Sequence, residues 1–378
     1  MPSGGLAMNY NHSNFQKIKL GNYIRRSTIN NKDLKYGEEY IEGVTNEGKF
    51  SSPKGEPIDV NLKPYKIVNN GAFVYNPSRL NLGSIAYRTE GLCIVSHLYI
   101  VFYLNEMGKK LIDPIYLYIY FRRNEFYREV TFRNFGSQRP EFNFNDMSDI
   151  IIPLPPLDVQ QKYVNIYQSM AANQQSYERG LEDLKLVCDG YIEDLNRNMP
   201  SQKLGDYINE LNERNNDLFI TNVKGVNSKS EFDETRANTV GIDLNNYKIV
   251  KKNQFAYNPS RINLGSIALL REDNCIVSPM YVVFEIKENK KLLAEYLMLW
   301  FGRKEFQRST LFYSMGSVRD TFSFDLMQEV SIPIPDITIQ KSIADIYNVY
   351  ITRKKICEQL NTQIKNICPI LIRGSLEE

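Results

Sequence analysis

The sequence is poor in the residues that build metal sites and nucleophilic sites. It has only two histidines, His12 and His97, and five cysteines without a CxxC pair. Zinc sites use Cys and His ligands at short, regular spacing, so no metal site is expected. Cys93 and Cys275 lie in apolar stretches, and an odd number of scattered cysteines is typical of a reducing compartment. We therefore expect these two thiols to be buried and non-catalytic, and we expect no disulfides.

Long apolar runs and a strong charge bias are also missing. No apolar run reaches the roughly 20 residues that a transmembrane helix needs, and the first residues lack the basic and apolar stretches of a signal peptide. No membrane segment is therefore expected. A net charge of +2 gives no indication for or against an acidic partner. A length of 378 residues with 42% hydrophobic residues predicts two or three domains with substantial cores.

The motifs of the enzyme classes that could be recognised are incomplete or absent. An adenine methyltransferase holds its flipped base with an Asn/Asp-Pro-Pro-aromatic loop, but Asn76-Pro77-Ser78 and Asn258-Pro259-Ser260 lack the second proline and the aromatic residue. The segment Gly43–Lys49 resembles a phosphate-binding loop, but Phe50 follows the lysine, so we interpret the segment as a surface loop. No Ser-His-Asp set or carboxylate pair stands out. The sequence therefore predicts no catalytic residue.

The most informative feature of the chain is an internal duplication. Residues 73–86 and residues 255–268 are identical at twelve of fourteen positions, at an offset of 182. The match extends from residue 20 to residue 155 of the first copy, and each copy is about half of the chain. A repeat of this length is a duplicated domain-sized unit and not a solenoid repeat.

A heptad repeat follows the proline-rich segment that ends each copy. Apolar residues recur at a and d positions over almost five heptads in the first stretch, which predicts long helices that pair through a seam. Gly180 and Gly190 weaken the first helix, Arg353 intrudes into the second seam, and Pro369 is expected to disturb the last turn of a helix that ends near residue 367. The predicted seam residues are Tyr163, Tyr167, Met170, Tyr177, Leu181, Leu184 and Tyr191, and Ile343, Ile346, Tyr350, Leu360 and Ile364.

These patterns predict an α+β fold with two similar mixed α/β domains joined by two long antiparallel coiled-coil helices. The predicted domains are residues 1–156 and 199–335, and the predicted spacer-helix regions are residues 157–198 and 336–378, with the helix of the second region ending near residue 367. Antiparallel pairing of equivalent helices would relate the two copies by a pseudo-twofold axis. Within the first copy we expect a strand at residues 94–102 and a helix at residues 111–127.

This combination of two similar domains, each followed by a proline-rich segment and a long helix, resembles the DNA specificity subunit of type I restriction-modification systems. The residues that carry the resemblance are Gly136-Ser137 followed by residues 151–157 and Gln160/Gln161, and Gly316-Ser317 followed by residues 331–335 and Gln340. The chain departs from the family at Val159 and Ile339, where glutamate is usual, and at His97, where the second copy has Pro279.

The resemblance implies a function and a set of partners. Each domain is then a target recognition domain that reads half of a split double-stranded DNA target. The helices space the domains and bind two methyltransferase subunits, which carry S-adenosylmethionine, and a restriction subunit can join. The resemblance also implies a bacterial or archaeal cytoplasmic protein without a cofactor of its own.

Candidate DNA-contacting residues follow from the chemistry of base recognition. Arginine pairs with guanine and asparagine or glutamine with adenine, while other polar groups position the backbone. Because the copies are so similar, we expect two related, inverted half-sites. Positions that differ between the copies, such as Arg133 against Tyr313, are candidates for half-site differences. The full set is Tyr75, Asn76, Ser78, Arg79, Asn81, Arg133, Gln138 and Arg139, and Tyr257, Asn258, Ser260, Arg261, Asn263 and Arg319.

Three alternatives stay open at the level of sequence. The Tyr-Asn-Pro-Ser-Arg motif is also what a purely structural turn would use. The chain could be a duplicated scaffold that binds protein or glycan, which predicts no salt-dependent DNA binding. It could also be a self-sufficient enzyme with an unrecognised site, which predicts turnover by the purified chain alone. Apolar residues outside the helix seams, such as Ile166, Leu186 and Val187, suggest a face for another protein's helices.

Overall fold

The computed structural model describes residues 16–53, 60–134, 141–235, 241–288, 291–314 and 321–377. These residues form two compact units. Unit 1 contains the described residues up to 176 together with those from 357 onward, and unit 2 is Tyr177–Ile356. Each unit therefore contains one copy of the duplication and a part of both long helices.

Unit 1 has ten strands and four helices of its own within the described residues. The strands are β1 Gln16–Lys19, β2 Ile24–Ser27, β3 Gly43–Val44, β4 Phe50–Ser51, β5 Lys66–Val68, β6 Phe73–Tyr75, β7 Ile85–Tyr87, β8 Cys93–Val95, β9 Ile100–Leu104 and β10 Ile151–Leu154. The helices are α1 Glu106–Leu111, α2 Pro114–Phe121, α3 Asn124–Arg133 and α4 Phe144–Ser148.

Between the two long helices, unit 2 repeats the ten strands and the helices α2, α3 and α4. The first long helix is α5 Leu157–Asn198. The strands are β11 Ser201–Lys203, β12 Ile208–Leu211, β13 Lys224–Val226, β14 Phe232–Glu234, β15 Lys248–Val250, β16 Phe255–Tyr257, β17 Ile267–Leu269, β18 Cys275–Val277, β19 Val282–Ile286 and β20 Ser331–Pro333. The helices are α6 Ala294–Phe301, α7 Lys304–Ser314, α8 Phe324–Glu329 and the second long helix α9 Ile337–Ser375.

The two units share one sheet topology. Unit 1 has a four-stranded antiparallel sheet in the order β2-β9-β6-β7, and unit 2 has β12-β19-β16-β17. The pairs β5-β8, β3-β4 and β1-β10 recur as β15-β18, β13-β14 and β11-β20. The duplication seen in the sequence is thus a duplication of the fold, and the predicted α+β class with two long helices is confirmed.

An aromatic cluster joins the central sheet to the helices in each unit. Phe73 stacks on Phe102 of the neighbouring strand with ring centroids 5.1 Å apart, and Phe255 stacks on Phe284 at 4.7 Å. Alternate residues of a strand point to the same face, so strand alternation places these rings on the helix-covered side. Such pairs contribute about 0.5–1.5 kcal/mol beyond the area they bury, so the cluster stabilises the same sheet in both units.

Two element boundaries differ from the prediction. The strand expected at residues 94–102 is two strands, because a turn closed by Tyr99 N–H donating to Ser96 O separates β8 from β9. The helix expected at residues 111–127 is distributed over α1, α2 and α3. Asp113 caps the N-terminus of α2 and Pro114 occupies its first turn, a position where proline costs no hydrogen bond.

The long helices run antiparallel in both units. In unit 1 Tyr163 lies beside Gly374, and Gln174 donates to Cys357 Sγ at 3.6 Å. In unit 2 Gly180 lies beside Arg353. The partner's residue number falls as the residue number rises, as an antiparallel pair requires. Most predicted seam residues are buried or half-buried.

One seam residue was predicted wrongly. Tyr191 is 50% exposed, and its neighbour Ile192 is fully buried in the core of unit 2. A straight α-helix has 3.6 residues per turn, so an apolar stripe drifts away from a strict seven-residue repeat along the helix. The drift moves the contact from Tyr191 to Ile192 at the end of α5.

Helix α9 also extends further than expected, because Pro369 lies inside it and the helix continues to Ser375. Proline in a helix interior removes one backbone hydrogen bond. The burial of apolar side chains from the last turns of α9 offsets this cost, since Cys368, Leu371 and Ile372 are buried in the core of unit 1. The expected end near residue 367 was therefore wrong because tertiary packing outweighs the local effect of proline.

A glutamine at the start of each long helix fixes the helix to its domain. Gln160 is fully buried, and its side-chain amide donates to Leu111 O at 2.9 Å and to Pro155 O at 2.8 Å. Gln340, also fully buried, donates to Lys291 O and Pro335 O, both at 2.8 Å. Both side chains replace backbone partners that the irregular chain at these positions does not supply.

Candidate nucleic-acid interface

The candidate interface is built on a turn that follows the central strand of each unit. In unit 1 this is Asn76–Gly83, here named the Arg79 turn. The Asn76 side-chain oxygen accepts the Ser78 N–H at 3.0 Å, and the Arg79 N–H donates to Asn76 O at 3.1 Å. A short 3-10 helix, Leu80–Leu82, follows and ends at Gly83, whose φ of 95° is left-handed. Asn76 therefore forms the turn and does not offer its oxygen to a ligand.

Unit 2 repeats this geometry in Asn258–Gly265, here named the Arg261 turn. The Asn258 side-chain oxygen accepts the Ser260 N–H at 3.0 Å, and the Arg261 N–H donates to Asn258 O at 3.0 Å. The turn ends at Gly265 with a φ of 87°. Two copies of one turn thus present equivalent side chains.

The predicted DNA contacts of Tyr75 and Tyr257 are wrong. Both tyrosines have no exposed surface, and each packs edge-on against a phenylalanine, Phe142 in unit 1 and Phe322 in unit 2. A side chain enclosed in a core cannot reach the edge of a base. Burial also raises the pKa of both phenols far above the usual value.

The remaining polar residues of the turns do face solvent. Ser78, Arg79 and Asn81 are exposed in unit 1, as are Ser260 and Arg261 in unit 2, while Asn263 is half-buried. Within the described part of the chain, the guanidinium groups of Arg79 and Arg261 make no ion pair or hydrogen bond. An exposed arginine without an internal partner has all five N–H donors free for a phosphate or a guanine.

A hairpin lies against each turn. In unit 1 this is β3–β4, whose tip is Thr45–Lys49. A Cβ added at Gly83 would lie 2.5 Å from Asn46 O, so only glycine permits this approach. In unit 2 a Cβ at Gly265 would lie 2.8 Å from Ser228 O of the β13–β14 hairpin. Hairpin and turn therefore form one continuous surface in each unit.

Arg122 fixes this arrangement in unit 1. The guanidinium is 5% exposed and donates to Gly83 O at 2.5 Å and to Asn46 O at 3.2 Å. It also lies near the ring of Tyr127, whose pKa burial raises to about 12. The buried charge is compensated by carbonyl oxygens and by the face of an aromatic ring.

In unit 2 the equivalent Arg261 turn is held by a serine hydroxyl and not by a buried arginine. Gly302 stands where unit 1 has Arg122, and the Ser230 hydroxyl donates to Gly265 O at 3.0 Å. Arg122 and Ser230 were not singled out in the sequence. Comparison of the copies could have found them, because Gly48 and Arg122 of one copy correspond to Ser230 and Gly302 of the other.

Arg133 lies at the end of α3 and is not free. Its guanidinium donates twice to Glu129 Oε1, at 3.1 and 2.8 Å. An exposed pair one helical turn apart stabilises a protein by at most about 0.5 kcal/mol, so a phosphate could compete for this arginine. Gln138, Arg139 and Arg319 lie outside the described residues.

Exposed apolar side chains accompany both turns. Leu82 is 57% exposed and Leu264 is 59% exposed, at equivalent positions of the two 3-10 helices. Phe132 and Phe312, at equivalent positions near the ends of α3 and α7, are also exposed. No sequence argument had indicated them. Apolar side chains on a DNA-reading surface contact thymine methyl groups or separate base steps.

Not every basic residue that recurs in both copies is free for a ligand. Arg123 lies 3.8 Å above the ring of Tyr120, and Arg303 lies 5.4 Å from the ring of Trp300. Arg123 lies between α2 and α3, and Arg303 lies between α6 and α7, where each stacks on an aromatic ring of its own unit. The recurrence of a basic residue in both copies therefore does not by itself indicate DNA contact.

Other features of the described residues concern metal clusters, membrane-spanning helices and reactive thiols. They contain no group of three metal-ligating side chains, and none of their helices is long and apolar enough to cross a membrane. All five cysteines are buried and unpaired. Cys93 and Cys275 are buried as expected, and burial raises the pKa of the Cys93 thiol to about 12 and that of the Cys275 thiol to about 11.

Comparison with known proteins identifies the family. The model of the type I restriction modification DNA specificity domain matches twice, at residues 6–183 and 196–366. The chain therefore belongs to the family of type I restriction-modification DNA specificity subunits. The two matches correspond to the two copies of the duplication.

One solved structure agrees with this chain at the level of the fold, and two further matches have lower TM-scores. The type I restriction-modification S subunit from M. genitalium is 13% identical, with a TM-score of 0.63 and 98% of both chains covered. The HsdS subunit from Thermoanaerobacter tengcongensis is 14% identical, with a TM-score of 0.37 and 96% of both chains covered. A chain from a study of type I R-M complex assembly has 14% identity, a TM-score of 0.47, and coverage of 96% of this chain and 97% of that one. Among curated protein sequences, none matches this chain.

Proposed function

We propose that this chain is the non-catalytic subunit that reads a bipartite DNA target and directs adenine methylation by partner subunits. The observation that carries the proposal is the equivalent display of Arg79 and Arg261, exposed and without partners in the described structure, on turns of identical geometry. Two equivalent readers in one chain suit a target with two half-sites. Antiparallel pairing of the long helices suits half-sites in inverted orientation.

The partners in this proposal are two methyltransferase subunits, which bind S-adenosylmethionine and flip the adenine. Apolar residues on the outer side of the long helices support such docking, since Leu186 is 74% exposed and Val349 is 48% exposed. A restriction subunit that joins the same complex would add DNA cleavage. The alternative of a protein- or glycan-binding scaffold has no observation in its favour beyond the exposed apolar residues.

The proposal is tested by co-expressing this chain with the methyltransferase encoded beside it. N6-methyladenine is then mapped across the host DNA by single-molecule sequencing. The expected result is one bipartite motif with two related, inverted half-sites. Two unrelated half-sites would keep the specificity role and contradict the inference from similar readers.

A control separates failure of the function from failure of expression. The chain and the methyltransferase must co-purify, and the complex must show a cooperative unfolding transition. If such a complex leaves the DNA unmethylated and binds DNA without sequence preference, the proposal is wrong. Methylation by this chain without its partner would instead show a catalytic site within it.

A further inference from the structure

The tips of the two equivalent hairpins differ where the adjoining turns do not. Tip 1 is Thr45–Lys49 and tip 2 is residues 227–231, and all five positions differ between them. The Arg79 turn and the Arg261 turn differ at one of eight positions, Leu80 against Ile262. The sequence differences between the two copies are thus concentrated in the hairpin tips and not in the adjoining turns.

Both tips nevertheless have the same backbone. The Gly48 N–H donates to Thr45 O at 3.0 Å, and the Ser230 N–H donates to Asn227 O at 3.3 Å. Gly48 and Ser230 both have left-handed φ angles, 76° and 61°. A left-handed serine is strained, and its hydroxyl bond to Gly265 O offsets that cost. The tips are therefore equivalent platforms for different side chains.

Each tip is fixed to the adjoining turn. The hydroxyls of Ser84 and Ser266 donate to the hairpin carbonyls Val44 O at 2.9 Å and Val226 O at 2.8 Å. The anchors described above, Arg122 in unit 1 and Ser230 in unit 2, converge on the carbonyl at the end of the turn. A side chain on a fixed tip keeps a constant position relative to the arginine of the turn.

The side chains at the second and third tip positions are exposed and differ in chemistry. Asn46 and Glu47 are exposed in tip 1, and Ser228 and Lys229 are exposed in tip 2. The backbone N–H of Glu47 and the Thr45 hydroxyl lower the pKa of the Glu47 carboxyl, so Glu47 is an ionised acceptor. A carboxylate accepts from cytosine N4, whereas a lysine donates to guanine.

We propose that the hairpin tips read the base positions at which the two half-sites differ, while the turns contact the positions that the half-sites share. Asn46 and Glu47 are the specificity-determining residues of unit 1, and Ser228 and Lys229 those of unit 2. The assignment rests on the proposed function, because it presumes that the turns face DNA.

The test exchanges these side chains and leaves the anchors in place. The double variant Asn46→Ser with Glu47→Lys keeps Gly48 and Arg122, and Asn46 holds Arg122 only through its backbone oxygen. The reciprocal variant is Ser228→Asn with Lys229→Glu. Each variant is co-expressed with the methyltransferase, and the motif is mapped as for the wild type. A matched control is Glu106→Lys, the same charge change at a glutamate of α1 whose side chain is 82% exposed.

The expected result is a change in one half-site only. The first variant moves the base preference at one or two positions towards the other half-site, by about 10-fold or more. The reciprocal variant changes the other half-site, and Glu106→Lys changes neither. If a variant complex no longer methylates, its preference is read by selecting bound sequences from a random DNA pool.

Two results would overturn the inference. One is an unchanged motif in both tip variants, and the other is a pair of identical half-sites in the wild type. Both leave the proposed function intact, because the wild-type motif is established first. A wild-type complex without any motif would contradict the proposed function itself.

Discussion

Gln160 Oε1 accepts the backbone N–H of Asp113 at 2.8 Å, at a place where the chain supplies no backbone acceptor. Gln340 does the same for the N–H of Leu293 at 2.9 Å in unit 2. These equivalent contacts show that the glutamine at the start of each long helix is structural. Its role is to hold the helix against the domain.

Replacing Gln160 with alanine is expected to destabilise unit 1 by about 3 kcal/mol. The change leaves Asp113 N–H, Leu111 O and Pro155 O without their partner, and a buried unpaired group costs about 1–3 kcal/mol. Urea unfolding followed by circular dichroism measures the loss. The neighbouring Gln161, which bonds to Asn165 on the helix surface, is the matched control. Gln161→Ala should change stability by less than about 0.5 kcal/mol, and an equal loss in both variants would contradict the structural role.

Gly190 and Gly180 of helix α5 should respond differently to alanine. A Cβ at Gly190 meets nothing within 4 Å, whereas a Cβ at Gly180 would lie 2.4 Å from a guanidinium nitrogen of Arg353. Gly190→Ala is expected to stabilise the chain by up to about 1 kcal/mol through helix propensity. Gly180→Ala should gain less, because Arg353, which lies over the Tyr177 ring at 5.5 Å, must move.

A double-mutant cycle decides whether Arg353 is the cause. In an Arg353→Ala background, Gly180→Ala should recover the stabilisation that Gly190→Ala shows in the wild type. Thermal unfolding of the four proteins gives the coupling free energy. A coupling free energy of zero would mean that Arg353 does not limit the stabilisation gained by Gly180→Ala.

Arg79 and Arg261 are expected to contact base edges. Arg79→Lys keeps the charge but replaces the planar, two-pronged guanidinium with an ammonium group of lower geometric specificity, so it should lower the preference at one position of one half-site by about 10-fold. Arg261→Lys should do the same in the other half-site. Selection from a random DNA pool measures both. If the lysine variants match the wild type while the alanine variants reduce the salt dependence of binding by about one ion, the contacts are to phosphate.

Unit 2 should fold as an isolated fragment. Residues 177–356 contain their own aromatic core and a segment of each long helix. The chain has one tryptophan, Trp300, which is 7% exposed in that core. We expect the fragment to unfold cooperatively, with a tryptophan emission shift like that of unit 2 in the full chain. Fragment fluorescence that is already red-shifted without urea would show that unit 2 depends on unit 1.

Sequence was sufficient for the repeated features of this molecule. The duplication, the pair of long helices and the Arg79 and Arg261 turns are local or periodic, and the heptads indicate which helix faces are buried. Tyr75 could also have been placed correctly, because it alternates with Phe73 on one face of a strand. The hydroxyl of Tyr75 suggested a DNA contact, whereas its position in the strand predicts burial in the core.

Contacts between distant residues could not be predicted in the same way. Arg122 reaches the Arg79 turn from another helix, and its partners are backbone carbonyls that any sequence could supply. The continuation of α9 beyond Pro369 depends on the packing of Leu371 and Ile372 in the core of unit 1. Such features depend on three-dimensional packing, which a single sequence encodes without local markers.

The contribution of α9 to unit 1 sets an order for folding during synthesis. Cys368, Leu371 and Ile372 complete the core of unit 1, and the Ser375 hydroxyl pairs with the Tyr116 hydroxyl at 2.7 Å. These residues leave the ribosome after all of unit 2 has been made. The half of the protein that is translated first is therefore completed last, and during that interval its unfinished core is exposed to chaperones and proteases.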